Sequence, residues 1–337
     1  CVIAASLIFT SCNSDPYGSH WVEDDMLTIC QYLEDNQEQY SKFRRILFDG
    51  MMLSALCAYN PYGEDYTLFL PTDEAIENFI DQSPQYSSFD ELLEDQDFIF
   101  KLTRYHTVNK KLHTNDFPDG ALPDLTLSGD RLTTAFFRSG DSMIIKVNNH
   151  TPIIKSNMEM ANGYIHVISD VLEKTEISGY EWLQQHNEYS ILAQAMEYSR
   201  IPNKLGWNKY TILAEHDSVY HKKGIYTVED LNNRVAATGN HIYDFVAYHI
   251  LNKERYLNDL DWGRSYYWTL AQKAVPITVR QEVRINPGVQ VFDTIISEPG
   301  DTSIIDYVRV LRDGSNILTN TGRVHTISDL LFFEPLP

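Results

Sequence analysis

Apolar and polar positions fall into two patterns along this chain, and the patterns alternate in a set order. Helix-spaced apolar residues come first: "YSKFRRIL" at 40–47, then a stripe of Phe98, Ile99, Leu102 and Tyr105. Short, strand-like runs follow: "LTLSG", "RLTTAFF", "MIIKVN" and "PIIKS", closing on "GYIHVISDVL" at 163–172. The succession then starts again. "YSILAQAMEY" at 189–198 and a stripe through Ile242, Phe245 and Tyr248 read as helices. "VPITVR", "EVRIN", "VQVFDT" and "YVRVLR" read as strands, and the chain returns to "GRVHTISDLL" at 322–331.

Three blocks therefore recur in order. "YTLFLPTDEAI" (66–76) matches "YTILAEHDSVY" (210–220), and "RYHTVNKKL" (104–112) matches "AYHILNKER" (247–255). The third block is the closing pair. Asp73 precedes His106 by 33 residues and Asp217 precedes His249 by 32; His166 then follows after 60 and His325 after 76. The extra length lies among the strands, where hairpin loops take insertions cheaply. In the first block an apolar strand runs into a polar turn, with Asp73 or Asp217 suited to capping the helix that follows. Two homologous domains are predicted, 24–176 and 177–337, joined near "EKTEISGYEW", after an N-terminal segment of residues 1–23. Each is α+β, with helices in its first half and strands in its second.

These residues carry a family resemblance. A strand entering "PTDEA" and a helix, then a "YH" dipeptide, then the closing "IHVI-D-VL" resembles the fasciclin domain. The likeness covers nearly all of residues 40–337, more cleanly in the first copy, since Glu215-His216 replaces Pro71-Thr72 in the second. It implies two fasciclin-like domains, each a seven-stranded β-wedge or sandwich with helices packed on one side. It also implies a role in contact rather than catalysis.

Several residues could carry chemistry. His166, Ser169 and Asp170 sit within five positions, as do His325, Ser328 and Asp329, which invites a hydrolytic triad used twice. On a strand, however, Ser169 points away from His166, and no strained glycine elbow is present. The histidines are expected to be half-buried donors tying the closing strand to its neighbours. Tyr105-His106 and Tyr248-His249 stand where a helix exits to a strand. They suit core packing and helix-end hydrogen bonds, and the resemblance adds receptor contact as an alternative. Metal motifs are missing, and no cofactor is expected. The acidic run 90–97 lacks calcium-loop spacing. "DLDWGRSYYWTL" (259–270) concentrates Trp262, Tyr266, Tyr267 and Trp268, either as core at the entrance to the sheet or as a recognition surface.

Composition narrows the partners. Forty-seven acidic against 27 basic residues give a net charge of −20, which repels phosphate backbones, so nucleic acid is excluded as a partner. Residues 1–9 form an apolar run too short for a bilayer span of about 20 residues, and suit the h-region of a signal peptide. The run ends in Phe9-Thr10-Ser11-Cys12, which resembles a bacterial lipobox with Cys12 as the lipidated residue, and Ser14-Asp15 resembles surface-export signals of Bacteroidota lipoproteins. Cys30 and Cys57 would then remain; buried free thiols are the favoured reading, with a single bridge as the alternative. The expectation is a non-catalytic lipoprotein of the outer membrane, exposed at the cell surface and held there by its lipid anchor. It would contact envelope proteins or glycans, in adhesion or as an accessory subunit of a SusC/SusD-type nutrient-uptake complex. An envelope hydrolase or sugar-processing enzyme, or a passive spacer, stand as alternatives.

Overall fold

The computed structural model describes residues 26–58, 65–139, 142–205, 208–286, 289–296 and 308–331. Six helices build one side of domain 1: α1 (Ile29–Asp35), α2 (Gln37–Asp49), α3 (Leu53–Cys57), α4 (Asp73–Gln82), α5 (Phe89–Glu94) and α6 (Gln96–Tyr105). Local chemistry sets their starts. Thr28 and Gln31 form a capping box on α1, and Ser88 and Asp95 cap α5 and α6 through side-chain oxygens. The helical spacing of Tyr40, Phe43, Ile46 and Leu47 turns one face of α2 into the core.

Seven strands complete the domain: β1 (Tyr66–Pro71), β2 (Thr107–Val108), β3 (Gly120–Ala121), β4 (Thr133–Ser139), β5 (Ser142–Val147), β6 (Thr151–Met160) and β7 (Gly163–Ile168). They form one sheet in the order β2-β1-β7-β6-β5-β4-β3. Central β1 and β7 run parallel and are buried on both faces, which is why their sequences are almost continuously apolar. Leu68, Leu70, Ile165 and Val167 face the helices, while Phe69 and Ile168 face a second core inside the curl, beside Tyr105, Val108 and Phe136. Two register shifts in β6 bend the sheet enough to enclose that core. The expected "LTLSG" strand is instead a single bridge at Thr126 followed by a turn.

Domain 2 repeats the plan with α7 (Gly179–Gln185), α8 (Ser190–Tyr198), α9 (Asp217–Lys222), α10 (Val228–Ala237) and α11 (Ile242–Tyr248). Its strands are β8 (Tyr210–Glu215), β9 (Ile250–Leu251), β10 (Gly263–Trp268), β11 (Ala274–Asn286), β12 (Val289–Ile296), β13 (Val308–Arg309), β14 (Ile317–Thr319) and β15 (Gly322–Ile327). The expected single seven-stranded sheet is not what forms here. Among the described residues there are two four-stranded sheets, β14-β15-β8-β9 and β10-β11-β12-β13. The cause lies at the place of β6. There a helical turn at Arg312–Gly314 interrupts the strand, leaving β13 on β12 and β14 on β15, with single bridges at Val310–Ile327 and Leu251–Thr269 joining the ends of the two sheets.

The glycine that opens each closing motif has a steric reason. Gly163 and Gly322 have φ of 153° and 139°, and a Cβ there would lie 1.9 Å from Tyr66 O and 1.8 Å from Tyr210 O. A correction concerns the cysteines. Cys30 and Cys57 form a disulfide, because α1 and α3 pack side by side and bring their Cα atoms to 4.7 Å.

The domains touch through polar groups. Asp119 pairs with Arg312 at 2.5 Å, Arg131 lies 3.6 Å from Asp259, and Asn149 Nδ2 donates to Ser315 O at 2.5 Å. Asn258 makes two hydrogen bonds to the backbone of Ala121, both 2.9 Å.

Candidate functional site

The histidines of the closing motifs are fully buried rather than half-buried, and each spans two segments. His166 Nε2 donates to Leu112 O at 2.9 Å and its Nδ1 accepts from Asn157 N at 3.2 Å. His325 repeats this, donating to Arg255 O at 2.9 Å and accepting from Asn316 N at 3.0 Å. Both ring nitrogens are thus occupied. The strand β7 ends at Ile168, so Ser169 and Asp170 lie just past it, contrary to the expectation that they continue it. There Ser169 Oγ donates to Asp170 Oδ2 at 2.6 Å, away from His166. Asp329 accepts from its neighbour Leu330 N at 2.8 Å and lies 3.4 Å from Lys223 Nζ.

The "YH" residues offer no contact surface. Tyr105, His106, Tyr248 and His249 are all buried, since the helix that ends on them turns inward to meet the sheet. Tyr105 Oη accepts from Asn148 Nδ2 at 3.0 Å. His106 Nδ1 donates to Phe69 O at 2.8 Å and its Nε2 accepts from Leu172 N at 3.0 Å. Domain 2 departs at this point. Glu215, standing where domain 1 has Pro71, places Oε1 2.5 Å from His249 Nε2 and accepts from Leu331 N at 3.2 Å and, at Oε2, from Tyr220 Oη at 3.1 Å. One carboxylate is inserted between the histidine and the amide that meet directly in domain 1.

Asp73 and Asp217 also act differently from expectation. Thr72 caps α4, while Asp73 accepts from Ser41 N, Ser41 Oγ and Lys42 N at 3.1, 2.6 and 2.8 Å. It caps the second half of α2, which restarts after the non-helical Tyr40. Asp217 does the same for α8, accepting from Ser190 Oγ at 2.5 Å and Ile191 N at 2.9 Å. The signal was the repeated Tyr-Ser pair, whose serine is the carboxylate's partner.

The aromatic stretch is the exposed chemistry among the predicted residues. β10 pairs with β11 on one side and forms the edge of its sheet. Strand alternation turns Tyr267 inward, 7% exposed, where Asp261 N donates to its Oη at 2.7 Å. The other face carries Arg264, Tyr266 and Trp268. Tyr266 and Trp268 are 62% and 63% exposed, and Trp262, just before the strand, is 63% exposed. Arg264 lies 5.6 Å from the Tyr266 ring centre, a cation–π contact that sequence reasoning missed. Side chains two apart on a strand stand about 7 Å apart, so Tyr266 and Trp268 form a short apolar platform.

A cavity of about 400 Å³ opens between the domains, floored by Tyr105 and Arg323. Its charges are already matched, Lys174 with Asp130 at 2.9 Å and Arg323 with Glu254 at 3.0 Å. Among the described residues no group of three or more His, Cys, Asp or Glu side chains could hold a metal ion. Cys12 and the rest of residues 1–23 lie outside the described residues.

Residues 38–174 match the model of the Fasciclin domain. Stabilin-2 of Rattus norvegicus is 31% identical over 149 residues, which is 44% of this chain and 9% of the rat protein. Protein sll1483 of Synechocystis is 28% identical over 151 residues, covering 44% of this chain and 74% of that protein. The chain thus spans a small part of stabilin-2 and most of the cyanobacterial protein. Among solved structures, a FAS1 domain pair from the insect cell adhesion molecule Fasciclin I is 17% identical with a TM-score of 0.39, over 87% of this chain and 96% of that one.

Proposed function

We propose that the chain is a non-catalytic contact protein of the cell envelope, and that β10 of domain 2 is where it meets a partner. The observation that carries this is the exposure of Trp262, Tyr266 and Trp268 together beside an edge strand. Large aromatics left in water on one face are the usual anchors of protein interfaces and the usual stacking platforms for sugar rings. The partner is accordingly another envelope protein or a glycan. Lipidation at Cys12 would hold the protein at the outer membrane, facing outward. The Cys30–Cys57 bridge favours an oxidising compartment of that kind. Within that setting, an accessory role beside a SusC/SusD-type uptake complex is the finer reading, supported by the lipobox-like start and the polar stretch after it.

The test compares the full chain with a W262A/Y266A/W268A variant in cross-linking from intact outer membranes and on a glycan array. The variant is expected to lose the partner or glycan while its thermal melting stays unchanged. Retention of every contact by the variant would refute β10 as the site.

A further inference from the structure

The joint between the domains rests on a small device, and the chain contains each half of it twice. In the joint, the helical turn Leu257–Asp259 offers Asn258, whose Oδ1 accepts from Ala121 N and whose Nδ2 donates to Ala121 O, both at 2.9 Å. The amide side chain acts as one more residue laid along β3. Gly120 makes room for it, since a Cβ there would lie 2.3 Å from Asn258 Oδ1.

Every part has a counterpart at the same spacing. "TNDFPDGALPDLTL" (114–127) aligns without a gap on "LNDLDWGRSYYWTL" (257–270), so Asn258 answers to Asn115 and Gly120 to Gly263. The two turns are built alike. Thr114 N donates to Asn157 Oδ1 at 2.8 Å, as Leu257 N does to Asn316 Oδ1 at 2.9 Å, and both asparagines have positive φ, 56° and 55°. Yet Asn115 is exposed, and a Cβ on Gly263 would meet nothing within 4 Å. Domain 1 presents the turn without a strand, and domain 2 presents the strand without a turn.

We propose that the Thr114–Asp116 turn of a second copy docks on β10 of the first, repeating between molecules the joint already made within one. The inference rests on the reading of β10 as a contact surface and names the partner as this same chain. Local charge agrees with it. Asp259 sits 3.6 Å from Arg131 in the joint; its counterpart Asp116 is exposed, and exposed Arg264 on β10 supplies the cation. Trp262 stands at the position of Asp119, so aromatic area replaces the ion pair with Arg312. Because the contact joins two different surfaces, copies add head to tail, in a row or a ring. A net charge of −20 on each copy opposes this, which keeps the association weak.

Sedimentation of the full chain from micromolar to millimolar concentration tests the proposal. The average mass is expected to rise progressively beyond that of a dimer. N115A removes the clamp and is expected to weaken association about tenfold. D116R is expected to weaken it too, and D116R combined with R264E to restore it. A monomer at all concentrations, a closed dimer, or no response to N115A and D116R would overturn the proposal. Self-association that survives N115A but disappears in W262A/Y266A/W268A would overturn it as well, leaving an aromatic contact without the clamp. A monomeric chain whose aromatic variant still loses its envelope partner would sink this inference alone. An aromatic variant that loses nothing in either experiment would sink both.

Discussion

Lowering the pH through the window from 6.5 to about 4 is expected to cost domain 1 more stability than domain 2. Three buried histidines set the magnitude. His106, His166 and His325 each donate one ring proton to a carbonyl and accept a backbone N–H on the other nitrogen. A second proton on any of them would point at an N–H, and burial pushes all three from 6.5 down to about 4. The unfolded chain takes up these protons below pH 6.5, while the folded chain refuses them until about 4. Stability is therefore full above the window and is lost as pH falls through it. Each histidine is worth about 3 kcal/mol across that span. Two of these three, His106 and His166, lie in domain 1, and His325 lies in domain 2. Carboxylates titrating in the same window act on both domains, so the contrast between domains is the readout. Four of the five tryptophans lie beyond residue 176, so tryptophan fluorescence in urea follows domain 2. Amide exchange at Ile165 and Val324, in β7 and β15, separates the two directly. Equal losses in both strands, or none between these pH values, would refute the reasoning.

Two further expectations follow from single contacts. Asp73→Ala and Asp217→Ala each remove a helix cap held across the fold, and each is expected to cost about 1–3 kcal/mol in its own domain only, measured by the same exchange experiment. Replacing Cys57 by Ser opens a loop of 27 residues and is expected to cost domain 1 roughly 3–4 kcal/mol, leaving domain 2 unchanged in denaturant titration.

The repeat and the α+β class were legible because they depend on local periodicity, and the three blocks fall on equivalent elements of both domains. The inward turn of Tyr267 and the outward turn of Tyr266 follow from alternation, although the sequence did not say which face met water. What escaped was long-range. Asp73 caps a helix some thirty residues upstream, and nothing in "PTDEA" points there. The disulfide needed the packing of α1 on α3. The split of domain 2 into two sheets needed the turn at Arg312–Gly314, which begins on the last residue of a "YVRVLR" pattern that reads as one strand. Asn258 and Ala121 are 137 residues apart, and their meeting is a property of the assembled pair.

The polar joint between the domains has a mechanical consequence. A force that pulled the two domains apart would act on this joint first. Tension passes through a handful of hydrogen bonds and ion pairs, which yield one at a time, before it reaches either apolar core. Under such a force the polar joint is expected to part while both apolar cores stay folded.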